Sequence, residues 1–215
     1  MLFEHAPARG HPAFTGDRTA FDVLIRGRTP TGQRAFCTFE MKYSEDLRES
    51  APPIIHECYG HIAPFFNINP EEPTLRTPPP QQLFRIHSLA QCMLDRDLTD
   101  MGVFLFVPPR LNTPPQAAAG AYRCHLLEPG RGQVPFLPIT LERLFEAIFA
   151  AGERELAHQL HRRYTDFWLL DGEIALALVD QTNPASSASA EQDAGTARQH
   201  LTAPPGRGAS PSSAA

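Results

Sequence analysis

Between residues 20 and 43 polar and apolar positions alternate in two separate runs. In the first, Phe21, Val23 and Ile25 are interleaved with Asp22, Leu24 and Arg26. In the second, Cys37, Phe39 and Met41 are interleaved with Thr38, Glu40 and Lys42. A period of two belongs to a strand with distinct faces. Thr29 to Gln33 separate the runs, and Pro30 and Gly32 there supply turn geometry that strand residues lack. The pattern predicts a β-hairpin. With a five-residue loop Arg28 faces Arg34, and counting outward sets Asp22 opposite Glu40, with Lys42 two positions further on the same face. A loop one residue shorter turns Asp22 to the other face.

The rest of the chain reads as alternating strands and helices. Residues 2–19 suit an edge strand followed by an irregular loop. Ser44 to Ser50 suit a short helix capped by Ser44, and a Pro-rich connection with one short helix follows to Pro80. Gln82 to Asp97 carries Leu83, Ile86, Ala90, Met93 and Leu94 on one stripe, an amphipathic helix. Gly102 to Pro109 is apolar without alternation, as in a strand covered on both faces. Thr113, Pro114 and Gln116 read as N-cap, first helical residue and capping-box residue of a helix to about Glu128. Val134 to Ile139 is a short strand or extended chain. Thr140 caps a helix through Ala151 that turns Leu141, Leu144, Phe145, Ile148 and Phe149 to the core, and Gly152 stops it. A last helix, from Glu153 to about Leu170, buries Leu156, Leu160, Tyr164 and Phe167 or Trp168. Its polar face holds Arg154, His158, His161, Arg162 and Arg163, which suit a solvated surface or a nucleic-acid backbone. The order predicts an α/β layering. Residues 1–180 form the expected domain. Residues 181–215 are small, polar and rich in Pro and Gly, the composition of a disordered tail.

Composition changes this picture little. The 215 residues suffice for one domain with its own core. The net charge of −5 does not advertise a nucleic-acid surface, although a local basic face can act under an acidic total. The four cysteines, Cys37, Cys58, Cys92 and Cys124, form no C-x-x-C pair, so neither a zinc ribbon nor a redox motif is indicated. The opening MLFEHAPARG has no hydrophobic run and no stretch approaches membrane-spanning length. A reducing cytoplasm without membrane contact is the expectation, and nothing in the pattern sets an oligomeric state.

The hairpin carries the chemistry. Two neighbouring carboxylates repel, and a like charge raises one pKa. A hard divalent cation, Mg²⁺ or Mn²⁺, removes the conflict, since such ions take one or two carboxylates and leave positions for water and phosphate oxygens. A lysine beside them can stabilise developing negative charge. These are parts for metal-assisted hydrolysis of a phosphodiester. An exposed hairpin face can also carry Asp, Glu and Lys merely because it is wet. Gln82 and Arg85, three apart on the following helix, are neighbours that can approach a phosphate, and His87 reads as its polar flank. Glu45 reads as a solvated carboxylate near the site. His56, Glu57, Cys58 and His61 resemble metal ligands, but His56 and His61 are five apart and misaligned on a helix, so a zinc protein is a weaker alternative.

Ala20-Phe21-Asp22 followed by Glu40-Met41-Lys42-Tyr43 resembles the catalytic core of the PD-(D/E)XK nuclease superfamily, the restriction-endonuclease-like fold. It is most similar to a bacterial branch with an A-F-D, then E-x-K-Y, phrase. The resemblance implies that Asp22 and Glu40 bind the metal, that Lys42 is the catalytic lysine and that the Met41 carbonyl is a further ligand. It continues through Gln82, Leu83 and Arg85, through Gly102 to Asn112, and to Tyr122 and Arg163-Tyr164, covering residues 2 to 170. It implies an α/β fold with a mixed central sheet flanked by helices, and a Mg²⁺-dependent (or Mn²⁺-dependent) endodeoxyribonuclease with DNA as its partner. Family members usually carry a helical region ahead of the first strand, often with an acid that reaches the site. This sequence opens close to that strand, and Glu4 is not assigned to that acid. The departure motivates a second reading: a catalytically inactive protein of the same fold that binds DNA or a protein partner.

Overall fold

The two alternating runs pair with each other in a computed structural model, which describes residues 1–48, 59, 73–130 and 132–167. Strand β1 (Leu2–His5) precedes the hairpin strands β2 (Phe21–Arg28) and β3 (Arg34–Met41). The hairpin register runs from Arg28 opposite Arg34 to Val23 opposite Phe39, as the five-residue loop requires. The loop is closed by Thr29 N–H to the Gln33 carbonyl and Gly32 N–H to the Thr29 carbonyl, each 2.9 Å. Gly32 has φ 85°, a left-handed conformation that explains a glycine there.

After α1 (Pro73–Arg76) and α2 (Pro80–Asp95), β4 (Met101–Val107) joins β3 in parallel. After α3 (Thr113–Cys124), β5 (Phe136–Pro138) joins β4 in parallel. The sheet order is β1-β2-β3-β4-β5, antiparallel on one side of β3 and parallel on the other. The apolar run of β4 follows from this position: Phe104 and Phe106 are fully buried towards α2, while Leu105 and Val107 join the opposite core. Gly102 lies level with Phe36, and a Cβ there would sit 2.1 Å from the Phe36 ring, so this position has no room for a side chain.

Two cores result. One packs Leu24, Phe36, Phe104, Phe106 and Phe136 under α2 and α3. The other packs Phe39, Leu105 and Val107 against α4 (Leu141–Ala150) and α5 (Arg154–Tyr164). The predicted mixed sheet flanked by helices is therefore observed. The first compact unit is Met1–Thr165, and none of its described helices is long and apolar enough to cross a membrane.

Several local expectations change. Residues 44–48 form no helix. Asn112, not Thr113, precedes α3 as its N-cap, and Gln116 donates to the carbonyls of Pro109, Arg110 and Asn112 instead of closing a capping box. Thr140 does cap α4, accepting from Arg143 N–H at 3.3 Å. On α5 the inward set is Ala157, Leu160 and Tyr164, which leaves Leu156, one residue off that stripe, 47% exposed. Phe149, near the end of α4, is 41% exposed, with the Arg154 guanidinium 5.4 Å from its ring centre. Residues 181–215, Trp168, and His56, Glu57, Cys58 and His61 lie outside the described residues.

The largest correction concerns His87. It is no polar flank but a core residue, because α3 and β5 enclose the side of α2 that a simple stripe leaves to solvent. Its Nε2 lies 2.8 Å from the Val134 carbonyl and its Nδ1 2.9 Å from the Tyr122 hydroxyl. A carbonyl only accepts, so Nε2 carries the hydrogen and Nδ1 accepts from Tyr122. Burial pushes the imidazole down from 6.5 to about 4. Its contribution to stability is present above 6.5, where the unfolded imidazole is also neutral, and is lost as pH falls through 4. The gap amounts to roughly 3 kcal/mol. The expected outcome is that the unfolding free energy of His87→Gln relative to the parent, measured with urea, rises as pH falls from 6.5 to 4. A difference that does not vary with pH removes His87 as a source of pH dependence.

Candidate active site

The site is built where the hairpin pairing ends. The last hairpin pair is Val23–Phe39, and one step outward Asp22 lies level with Glu40. There the Asp22 carboxylate replaces the missing strand partner: Oδ2 accepts the Met41 N–H at 2.7 Å. Met41 thus contributes its N–H to the geometry of the site. Glu40 follows Phe36 and Thr38 on the face beneath α2 and is only 2% exposed. The first turn of α2 reaches it: Gln82 donates from Nε2 to Glu40 Oε1 at 2.7 Å. Lys42, just past the end of β3, places Nζ 2.7 Å from the same oxygen. Asp22, Glu40, Lys42 and Gln82 therefore meet in one place.

Burial pushes the Glu40 carboxyl up to about 7; Lys42 opposes this, while the charges of Asp22 and Glu4 add to it. Burial works against the Lys42 ammonium, but Glu40 and then Asp22 and Glu45 outweigh it, and its pKa is held above the usual value. Glu4 was not assigned to the site from sequence. The β1 register, with Phe3 opposite Val23 and His5 opposite Phe21, sets it level with Asp22, so three acids stand abreast on three strands. The signal was a strand pairing across a long loop, which local periodicity does not show. Glu4 has a left-handed φ of 46°.

Asp22, Glu40, Lys42 and Glu4 line a cleft of about 590 Å³, together with Gln81, Gln82 and Arg85 from α2 and Arg9 and Arg18 from the loop before β2. Among the described residues no three His, Cys, Asp or Glu side chains gather into a metal cluster. The donor set is thus the carboxylate pair. Hydrogen bonds from described residues go to one oxygen of each, Glu40 Oε1 and Asp22 Oδ2. A buried carboxyl that ionises reluctantly beside a second carboxylate fits a hard divalent cation with oxygen ligands and retained water.

The other candidates fall out differently. Arg85 is buried at the cleft wall, with Nη2 3.1 Å from Asp17 Oδ2. Glu45 is exposed and accepts the Ser44 N–H at 3.1 Å, and it does not line the cleft. Nor do Arg154, Arg162 and Arg163 of α5. Tyr43 and Tyr164 are joined instead: the Tyr43 hydroxyl donates to the Tyr164 carbonyl at 2.9 Å and the rings meet edge to face at 5.9 Å. Asn112 was not picked out. Its Nδ2 lies 3.0 to 3.2 Å from the carbonyls of Lys42, Tyr43 and Glu45, so its amide clamps the chain that carries the lysine. Only its position after β4 signals that role, and the contact is distant in sequence.

A family model described as PD-(D/E)XK nuclease superfamily matches residues 1–166. No curated protein and no solved structure matches the chain.

The buried carboxyl has a measurable consequence in metal-free protein. A carboxyl raised from 4.5 to about 7 stabilises the fold while protonated, and that contribution is lost as pH rises from 4.5 through 7. Glu40→Gln cannot ionise. It is expected to match the parent near pH 4 and to be more stable at pH 8, by on the order of 2 kcal/mol. Urea unfolding at both pH values measures this, and a variant less stable than the parent at pH 8 contradicts it.

Proposed function

The chain belongs to the PD-(D/E)XK nuclease superfamily, and from that membership we propose that it is a divalent-metal-dependent nuclease that hydrolyses DNA phosphodiester bonds at Asp22, Glu40 and Lys42. The observation that carries the reading is the meeting of those three side chains at one buried point of a cleft. Asp22 and Glu40 would hold Mg²⁺ or Mn²⁺. When bound, such an ion polarises a phosphoryl oxygen and lowers the pKa of a bound water.

The chain's own residues do the rest. Gln82 fixes the Glu40 carboxylate by its 2.7 Å hydrogen bond. Asp22 is held by the Met41 N–H, so neither acid has to reorganise to accept a cation. Lys42, kept protonated by its acidic neighbours, stabilises negative charge growing on the phosphate. Attack in line with the departing oxygen inverts phosphorus. Gln82 is then a positioning residue, and Arg85 a group at the substrate wall.

One observation favours the inactive alternative: Glu40 is already engaged by Lys42 and Gln82, and Glu4, although level with Asp22, does not gather with the pair into a metal cluster. Two measurements separate the readings. With Mg²⁺ or Mn²⁺ the parent is expected to nick plasmid DNA, and Glu40→Ala and Lys42→Ala to lose about a hundredfold or more; equal nicking by all three ends the catalytic assignment. Without substrate, Mg²⁺ is expected to raise the melting temperature of the parent and not of Glu40→Gln. DNA binding with neither effect supports the inactive reading.

A further inference from the structure

Residues 6–20 join β1 to β2 and contribute Arg9, Asp17 and Arg18 to the lining of the cleft. The two ends of this segment meet, since His5 lies opposite Phe21, which makes it an Ω-type loop. It is tied down from within: Gly10 N–H donates to the Asp17 carbonyl at 2.8 Å, Phe14 packs against the core beneath α2 and α3, and Thr15 is buried. It is also tied to its surroundings. The Asp17 carboxylate accepts the Tyr59 hydroxyl at 2.5 Å and Arg85 Nη2 at 3.1 Å, besides its own loop's Thr19 N–H at 2.8 Å. Binding residues are found disproportionately on loops held by a rigid scaffold in this way.

The charged side chains of the cleft do not all cancel in pairs. Asp17 pairs with Arg85, and Glu40 with Lys42. That leaves Glu4 and Asp22 on the strands and Arg9 and Arg18 on the loop, and no ion pair joins them among the described residues. Both arginines are exposed. Arg9 donates to the Glu4 carbonyl at 3.5 Å, and Arg18 makes no hydrogen bond among the described residues. Acids and guanidiniums that share a cleft without pairing suit a ligand that brings both signs. A cation-bound phosphodiester is such a ligand: carboxylates take the cation, and the guanidinium fork matches phosphate oxygens. The basic face of α5 is placed differently. Arg154 stands 5.4 Å from the Phe149 ring centre and Arg163 5.2 Å from that of Tyr164, and neither they nor Arg162 line the cleft.

We propose that Arg9 and Arg18 bind the DNA backbone at phosphates flanking the one that is cut, so that the β1–β2 loop, and not the basic face of α5, is the substrate-binding surface. The proposal rests on the nuclease reading for the identity of the ligand. Contacts to phosphate carry no sequence information. Both arginines in this role bind substrate and take no part in bond breaking.

The test uses the full chain carrying Glu40→Gln, so that nothing is cut, and fluorescence anisotropy with a labelled oligonucleotide as single strand and as duplex, the tighter of the two serving for the variants. Adding Arg9→Gln or Arg18→Gln is expected to weaken binding about threefold to tenfold and to lower its salt dependence by about one counterion each. An oligonucleotide of equal length and unrelated sequence is expected to lose as much. Arg9→Lys and Arg18→Lys keep the charge and are expected to keep most of the affinity. Arg162→Gln on α5 is expected to bind as tightly as the protein without it. Unchanged affinity when Arg9→Gln and Arg18→Gln are combined, or a larger loss from Arg162→Gln than from either, overturns the proposal. So does a lysine variant that loses as much as its glutamine counterpart with the salt dependence unchanged, which marks a disturbed loop, and so does a protein that binds neither form of DNA at low salt. Dependence on the loop arginines in a chain whose parent nicks nothing with Mg²⁺ leaves this proposal standing and removes the nuclease reading. Nicking that continues at the same KM with Arg9→Gln and Arg18→Gln combined does the reverse.

Discussion

The structure turns on one uncomfortable group, the Glu40 carboxyl, held 2% exposed on the sheet face beneath α2. A fold that needed only stability would place an uncharged residue there, as it does two and four residues earlier along the face with a buried threonine and phenylalanine. Instead Lys42 and Gln82 both converge on Oε1. A lone buried carboxylate would take up a proton; with an ammonium and an amide on one oxygen it stays within reach of ionisation at neutral pH. Perturbed ionisation in a cleft is a mark of functional sites rather than of structural ion pairs alone. Glu4, which also lines the cleft, adopts a left-handed conformation uncommon for a non-glycine residue.

Helix α2 carries two buried titratable demands of opposite sign. Glu40, packed under its first turn, resists ionisation and loses stability as pH rises to about 7. His87, further along the helix, resists protonation and loses it as pH falls towards 4. Their pH windows overlap, so the two contributions offset each other across mildly acidic conditions, and the net profile of the protein is flatter than either group alone would make it. That the helix is buried on almost every side is the common cause. It packs against the sheet, α3 and the residues around Val134, and its polar side chains must find partners inside: Ser88 on the Phe84 carbonyl, Gln91 on Gly132 and Val134.

What the sequence discloses depends on how local its cause is. The hairpin register was legible because a five-residue loop and a two-residue period leave one solution, and Asp22 follows Glu40 into place from that alone. The apolar run of β4 and the Thr140 cap were legible for the same reason. His87 was not, since nothing near it in sequence says that Tyr122 and Val134 will close over it. Asn112, Asp17 and Glu4 were missed because each acts on residues brought close only by strand order. Leu156 and Phe149 misled because the helical stripe was drawn one residue too wide, and partial cover of a sheet leaves such edges outside.

Strand direction explains why so many distant residues serve one point. β3 is the strand at which pairing changes from antiparallel to parallel. Its antiparallel partner β2 begins where β3 ends, which brings Asp22 to the carboxyl end of β3. Its parallel partner β4 ends there too, at Val107, so the chain leaving it can fold back and set Asn112 on the carbonyls around Lys42. Had β4 run antiparallel, its exit would lie at the far edge of the sheet and the lysine segment would have no clamp from that side. The change in pairing direction thus makes the carboxyl end of β3 the natural place for a site, as it does in open α/β sheets generally. It also explains why the specific residues cluster at strand ends while the strand centres are filled with Phe36, Phe104 and Phe106.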